Sequence, residues 1–67
     1  ESTVDSARQV DGKWTFRLPD GAVWSQTDNE IIRAPRHGSK VVIRKGAMGS
    51  YFLSVDGQKS VRAKRQN

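Results

Sequence analysis

Three Asp-Gly dipeptides, at 11–12, 20–21 and 56–57, punctuate runs in which apolar and polar residues alternate. A fourth break falls at 46–49, where two glycines bracket Ala47 and Met48. Asp-Gly between alternating runs is a strong hairpin signal, because both residues tolerate the positive φ that tight hairpin turns need. Breaks every ten residues or so, roughly the 8–12 of small β domains, suit a barrel or sandwich. No window sustains a helical period. The expected fold is therefore all-β: a five- to six-stranded antiparallel SH3-like barrel, with an OB-like barrel or small sandwich as the alternative.

Two registers can be read from the pattern. Trp14, Phe16 and Leu18 alternate with Thr15 and Arg17. A two-residue turn at Asp20-Gly21 would set Trp24 opposite Arg17. A three-residue loop, Pro19-Asp20-Gly21, sets Leu18 opposite Ala22 and Phe16 opposite Trp24, which gathers the aromatics on one face. Proline presets φ for the first turn position and glycine accepts a left-handed bulge, so turn chemistry favours the same choice. A slip of one residue would turn the apolar set to solvent. Near the other end, an odd loop such as Asp56-Gly57-Gln58 pairs Leu53 with Val61 and Tyr51 with Ala63. That leaves Phe52 outside, opposite Arg62. The expected core is Trp14, Phe16, Leu18, Trp24, Val41, Ile43, Tyr51, Leu53, Val55 and Val61.

The first strand, residues 3–10, alternates poorly: Val4, Ala7 and Val10 are spaced by three. A bulge or an edge position would account for that. Residues 27–39 form the one long connection. Thr27-Asp28-Asn29-Glu30 fits a capping box, which predicts one helical or 3₁₀ turn near 28–33, closed by Pro35. Ile31 or Ile32 is expected to plug an end of the barrel.

Sixty-seven residues make a single domain, with 1–2 and 66–67 expected to fray. Lacking cysteine, the chain can form no disulfide, thiolate zinc site or thiol nucleophile. No unbroken apolar run exceeds three residues, as at 41–43, so no transmembrane segment is expected where roughly 20 would be needed. The chain begins at Glu1 rather than methionine. This suggests that a signal peptide or a neighbouring domain once preceded it, and leans towards a periplasmic or other exported location, with the cytoplasm as the alternative.

Catalytic chemistry finds little support. Asp28 and Glu30 are the only close acidic pair, and both fall in the proposed capping turn. His37 is the sole histidine; Ser39 is near it, but nothing marks that serine as activated, and His37 reads as a solvated loop residue. Gly46-Ala47-Met48-Gly49 has the bare spacing of the G-x-x-G clamp of KH domains. That clamp joins two helices, whereas this one joins two strands, so it reads as a four-residue hairpin loop. Neither enzyme activity, cofactor nor metal is expected.

Charge is the one feature with functional pull. Twelve Lys and Arg against seven Asp and Glu give +5. Residues 1–32 hold three basic and six acidic side chains, and residues 33–67 hold nine and one, so the halves carry −3 and +8. Arg62 and Lys64 should point outward together, with Phe52 opposite Arg62 and with Arg44, Lys45 and Lys59 nearby. Cations around an exposed ring are what single-stranded nucleic-acid binders use. The competing account is edge protection, in which strand-edge cations such as Lys64 and Arg65 keep the sheet from pairing with its neighbours.

Gly12-Lys13-Trp14, Leu18-Pro19-Asp20-Gly21 with Val23-Trp24, and Arg44-Lys45-Gly46-Ala47-Met48-Gly49-Ser50-Tyr51-Phe52-Leu53-Ser54-Val55 resemble a family of short, uncharacterised proteobacterial proteins that often look exported. Gly38-Ser39-Lys40-Val41-Val42-Ile43 resembles a strand entry common in SH3-like barrels. The resemblance implies a lineage and no activity. Two functions follow as expectations. The first is a monomeric, non-catalytic binding or scaffolding module of a bacterial protein, with another protein or an envelope component as its partner. The alternative is binding of nucleic acid or another polyanion through a basic face in 44–65, carried by Arg44, Lys45, Phe52, Lys59, Arg62 and Lys64.

Overall fold

The computed structural model describes residues 2–66. Seven antiparallel strands form one curled sheet: β1 Ser2–Thr3, β2 Ser6–Val10, β3 Lys13–Arg17, β4 Val23–Gln26, β5 Lys40–Lys45, β6 Tyr51–Val55 and β7 Val61–Arg65. Their order is β1-β5-β6-β7-β4-β3-β2. Two three-stranded meanders, β2-β3-β4 and β5-β6-β7, thus lie side by side through the β4 and β7 pairing.

The strand count is seven rather than five or six because the expected first strand is broken. Val4 donates its N–H to Ser39 O at 2.8 Å and accepts from Gly38 N at 2.7 Å, whereas the next residue, Asp5, donates to Arg17 O at 2.8 Å. At Val4-Asp5 the chain therefore leaves one edge of the sheet and joins the other. The two edges, β1 and β2, are consecutive in sequence, and the sheet curls into a half-barrel around that link. The three-residue spacing of Val4, Ala7 and Val10 is the trace of this change of partner. Val4, absent from the expected core, is fully buried; Val10, past the break, is half exposed.

Both expected registers are present. Phe16 faces Trp24 and Arg17 faces Val23. Leu18 N donates to Ala22 O at 2.9 Å and Gly21 N to Leu18 O at 3.0 Å. Gly21 takes φ +89°, the left-handed position that closes a three-residue loop. In the second meander Tyr51 faces Ala63, Phe52 faces Arg62 and Leu53 faces Val61. The turn itself sits on Asp56 and Gly57, both at positive φ, with Gln58 N donating to Val55 O at 3.0 Å.

Phe16, Leu18, Trp24, Val41, Leu53, Val55 and Val61 are buried as expected, joined by Val4, Ala22 and Ala63. Trp14, Ile43 and Tyr51 are only partly buried and pack against this cluster. Trp24 and Tyr51 meet edge to face, with centroids 5.1 Å apart and an interplanar angle of 70°.

The turn expected near 28–33 is not helical. Residues 27–39 contain no helix of either kind; among the described residues the single 3₁₀ turn is Ala47–Gly49, at the tip of the β5–β6 hairpin. Asp28 does not cap a helix because its carboxylate is drawn into the sheet. Asp28 Oδ2 accepts from Arg62 N at 2.9 Å, and Asp28 Oδ1 accepts from Gln26 Nε2 at 2.9 Å and from Glu30 N at 3.3 Å. Ile32 packs against the core, while Ile31 is 96% exposed. Of the terminal residues expected to fray, Ser2 pairs with Val41 and Gln66 N donates to Val23 O at 2.7 Å. Glu1 and Asn67 lie outside the described residues.

Candidate functional site

Strand alternation places Arg44, Phe52 and Arg62 on the outer face of the second meander. Register then sets them in one cross-strand row, Arg44 opposite Phe52 and Phe52 opposite Arg62. The Arg62 guanidinium carbon lies 5.9 Å from the centroid of the Phe52 ring, within cation–π range. Lys64 follows two residues after Arg62 on the same face, opposite Ser25. Four of the six candidate residues are thus brought together.

Lys45 and Lys59 are not. Lys45 has the opposite parity from Arg44 and pairs with Tyr51, at the end of the core-facing side. Lys59 sits in the connection after the Asp56-Gly57 turn and pairs with Glu30 Oε1 at 3.4 Å. Both chains of that pair are well exposed, so it contributes little.

The ring of Phe52 is held from below by a residue that sequence reasoning treated only as a turn. A Cβ on Gly46 would fall 2.6 Å from Phe52 Cε2 and 2.8 Å from Ser50 Oγ. Gly46 has φ −96°, so the constraint is space and not backbone geometry. Gly46 N donates to Ser50 O at 2.8 Å and Ser50 Oγ donates to Ala47 O at 2.7 Å, which fixes the hairpin tip. The five-residue link 46–50 replaces the expected four-residue loop.

A buried glutamine bonded to a partly exposed aspartate underlies the edge of the row. Gln26 is 3% exposed. Its Oε1 accepts from Trp14 N at 3.0 Å, and its Nε2 donates to Asp28 Oδ1 and to Glu30 O at 2.8 Å. Burial pushes the Asp28 carboxyl up, but hydrogen bonds from Arg62 N, Gln26 and Glu30 N, with the Arg62 charge, outweigh it and hold the pKa below the ordinary value. Its oxygens are thereby occupied by main-chain and amide donors beside Arg62. Asp56 is likewise lowered, first by the Lys40 N–H and then by the Ser39 hydroxyl, with the charges of Arg33 and Arg36 adding to both.

Sequence halves concealed a sharper division of charge. Nine of the twelve basic residues lie within strands: Arg8, Lys13, Arg17, Lys40, Arg44, Lys45, Arg62, Lys64 and Arg65. No strand contains an Asp or Glu. The acidic residues of the described chain all fall in links and turns. Seven of the nine share the outward parity, Lys45 and Arg65 taking the other, so folding converts a dipolar sequence into a basic outer wall with acidic rims.

His37 is exposed, with Nδ1 2.8 Å from Asp5 O and 3.9 Å from Asp5 Oδ1. Ser39 is buried and its Oγ accepts from Arg36 N at 2.9 Å, so the hydroxyl is engaged in holding a turn. Among the described residues no group of three His, Cys, Asp or Glu could hold a metal, and no helix is long and apolar enough to cross a membrane. Comparison with known proteins returns no matching family model, curated protein or solved structure.

Proposed function

We propose that this chain is a non-catalytic binding module whose ligand is a single-stranded polyanion, with nucleic acid as the chemistry that suits it best. The observation that carries the reading is the outward row of Arg44, Phe52 and Arg62, with Lys64 beside it. Cations track phosphates, while a planar group accepts a base. Arg62 lies over the Phe52 ring at cation–π distance, and a guanidinium plane, like a ring, accepts a base. Gly46 makes room for the ring and so fixes where that plane lies.

Position within the sheet supports the reading further. Edge protection requires cations on edge strands. β6 and β7 are interior strands, between β5 and β4, so Arg62, Lys64 and Phe52 guard no edge. The fold around them is a curled seven-stranded half-barrel, and the resemblance to short proteobacterial proteins that often look exported motivates a bacterial, envelope-associated setting.

The test is an amide chemical-shift titration with an oligothymidylate at low and at physiological salt. The expected result is shifts centred on Arg44, Phe52, Arg62 and Lys64 that persist at physiological salt. Affinity should fall with salt by about 0.7 logarithmic units per unit log salt for each phosphate engaged. Shifts that are absent from this row, or scattered and lost as salt rises, would overturn the reading and favour an uncharged protein contact elsewhere.

A further inference from the structure

The other meander carries a second concentration of outward charge that this row does not use. Register sets Ser6 opposite Arg17 and Arg8 opposite Thr15. The two arginines are therefore diagonal neighbours, with Cβ atoms about 7 Å apart. Together with Ala7 and Val23, these four residues line an open groove of about 440 Å³, within the size range of small-ligand sites.

Like charges this close on a sheet repel one another, and a carboxylate between them is the ordinary relief. None is present. Asp5 precedes Ser6 but its carboxylate faces His37, 3.9 Å from Nδ1. Asp20 Oδ1 accepts from Ala22 N at 2.9 Å. Among the described residues neither guanidinium pairs with a carboxylate. Two exposed guanidinium forks and two hydroxyls thus share one groove with Ala7 and Val23. Planar forks match phosphate oxygens bidentately, which a single lysine does not.

The groove is also in line with the first row. Lys64 faces Ser25, Ser25 faces Thr15, and Thr15 faces Arg8. From β5 to β2 the sheet spans six neighbouring strands, with outward cations on β5, β7, β3 and β2 and no acidic residue on any of the six. Five steps of about 4.8 Å give a path of about 24 Å. At a stacked spacing of 3.4 Å per phosphate this is about seven phosphates, within the roughly 4–16 nucleotides that single small barrels engage.

We infer that the Arg8 and Arg17 groove is a second phosphate anchor for the same single strand that meets Phe52, an inference that rests on the polyanion reading above. The strand crosses the outer face, its bases meeting Phe52 and Arg62 at one end and its backbone held by two arginines at the other.

Fluorescein-labelled oligothymidylates of about three and about ten nucleotides separate the two sites. Anisotropy titrations over a salt series are compared for the parent and for Arg8→Ser with Arg17→Ser. For the longer probe the double variant should lose about 1.4 from the salt slope, two contacts at about 0.7 each. The shorter probe should keep its slope, and Arg8→Lys with Arg17→Lys should keep most of it for both. An unchanged slope with the longer probe, in a double variant that melts like the parent, overturns the anchor. If that variant melts early, the parent's amides decide: shifts at Ser6, Thr15 and Arg17 with the longer probe alone support the anchor, and their absence overturns it. A parent that binds the short probe at Phe52 and gains nothing from length loses the anchor but keeps the row. A parent that binds neither loses both.

Discussion

Trp24→Ala should remove most of the stability of this domain. Trp24 is 6% exposed, faces Phe16 across one neighbour and Arg65 across the other, and packs on the Tyr51 ring. Truncating a buried aromatic to alanine costs about 3–5 kcal/mol, of which the edge-to-face pair accounts for about 0.5–1.5 kcal/mol. At about 0.05–0.15 kcal/mol per residue, a chain of 67 residues has about 3–10 kcal/mol in total. Its unfolding entropy, about 2.1 cal/mol/K per residue, makes each kcal/mol worth about 7 °C. The expected drop in Tm is therefore about 20–35 °C. Far-UV circular dichroism melts measure it, and emission from Trp14, the one indole left, reports the same transition. Phe52→Ala is the contrast. Its half-buried ring lies on the outer face, outside the core cluster, so it should melt within about 7 °C of the parent, the worth of about 1 kcal/mol. A Trp24→Ala protein melting cooperatively within a few degrees of the parent, or a Phe52→Ala protein more damaged than it, would refute the assignment of inner and outer faces.

Gln26→Ala should cost at least about 1–3 kcal/mol, because it leaves the Trp14 N–H and the Glu30 carbonyl without their shared partner; urea midpoints measure the loss, and accelerated exchange of the Trp14 amide locates it. Asp28 and Asp56 both have folded pKa values below the ordinary 3.8, so the stability they contribute is complete above about pH 4 and is lost as pH falls through their lowered values. Asp28→Asn should flatten that acid limb in a pH series of urea melts, and an unchanged limb would remove Asp28 from the account. Gly46→Ala should swing the Phe52 ring away from the hairpin tip, lowering oligothymidylate affinity several-fold while Tm moves by only a few degrees; equal affinity would show that the ring's position does not matter to binding.

The hairpins were legible because each rests on information local to the chain. Alternation chose the inward set at Trp14, Phe16 and Leu18, and Pro19-Asp20-Gly21 admitted only the loop length that kept it inward. The same reasoning put Phe52 opposite Arg62. What the sequence withheld was long-range. Val4 reads as one member of an irregular strand, and only its bonds to Ser39 and Gly38 reveal the change of partner. Thr27-Asp28-Asn29-Glu30 has the letters of a capping box, but a carboxylate satisfies whichever N–H groups the fold presents. Here one of them is Arg62 N, 34 positions away. Lys45 is next to Arg44 in the chain, and strand alternation puts the two on opposite faces.

The charge pattern shows how that long-range information bears on function. Counted along the chain, the basic excess belongs to the second half, and edge protection accounts for it adequately. Counted by topology, it belongs to the strands, while the acidic residues sit in the turns. Those carboxylates have work there: Asp20 binds Ala22 N, Asp28 binds Arg62 N and Glu30 N, and Asp56 binds Lys40 N. Main-chain donors of turns and of strand ends occupy them, so they do not stand among the outward side chains of the strands. A wall of like charge costs self-repulsion in a small domain, and its interior strands have no edge to defend. The cost falls on Lys64 of β7 and Arg17 of β3, which lie on interior strands and pair with no carboxylate among the described residues. Replacing these two by serine should therefore raise Tm at low salt while weakening polyanion binding, a stability gain that vanishes as salt screens the repulsion. A loss of stability on that replacement would mean the cations are held by packing of their stems rather than set against one another for a ligand.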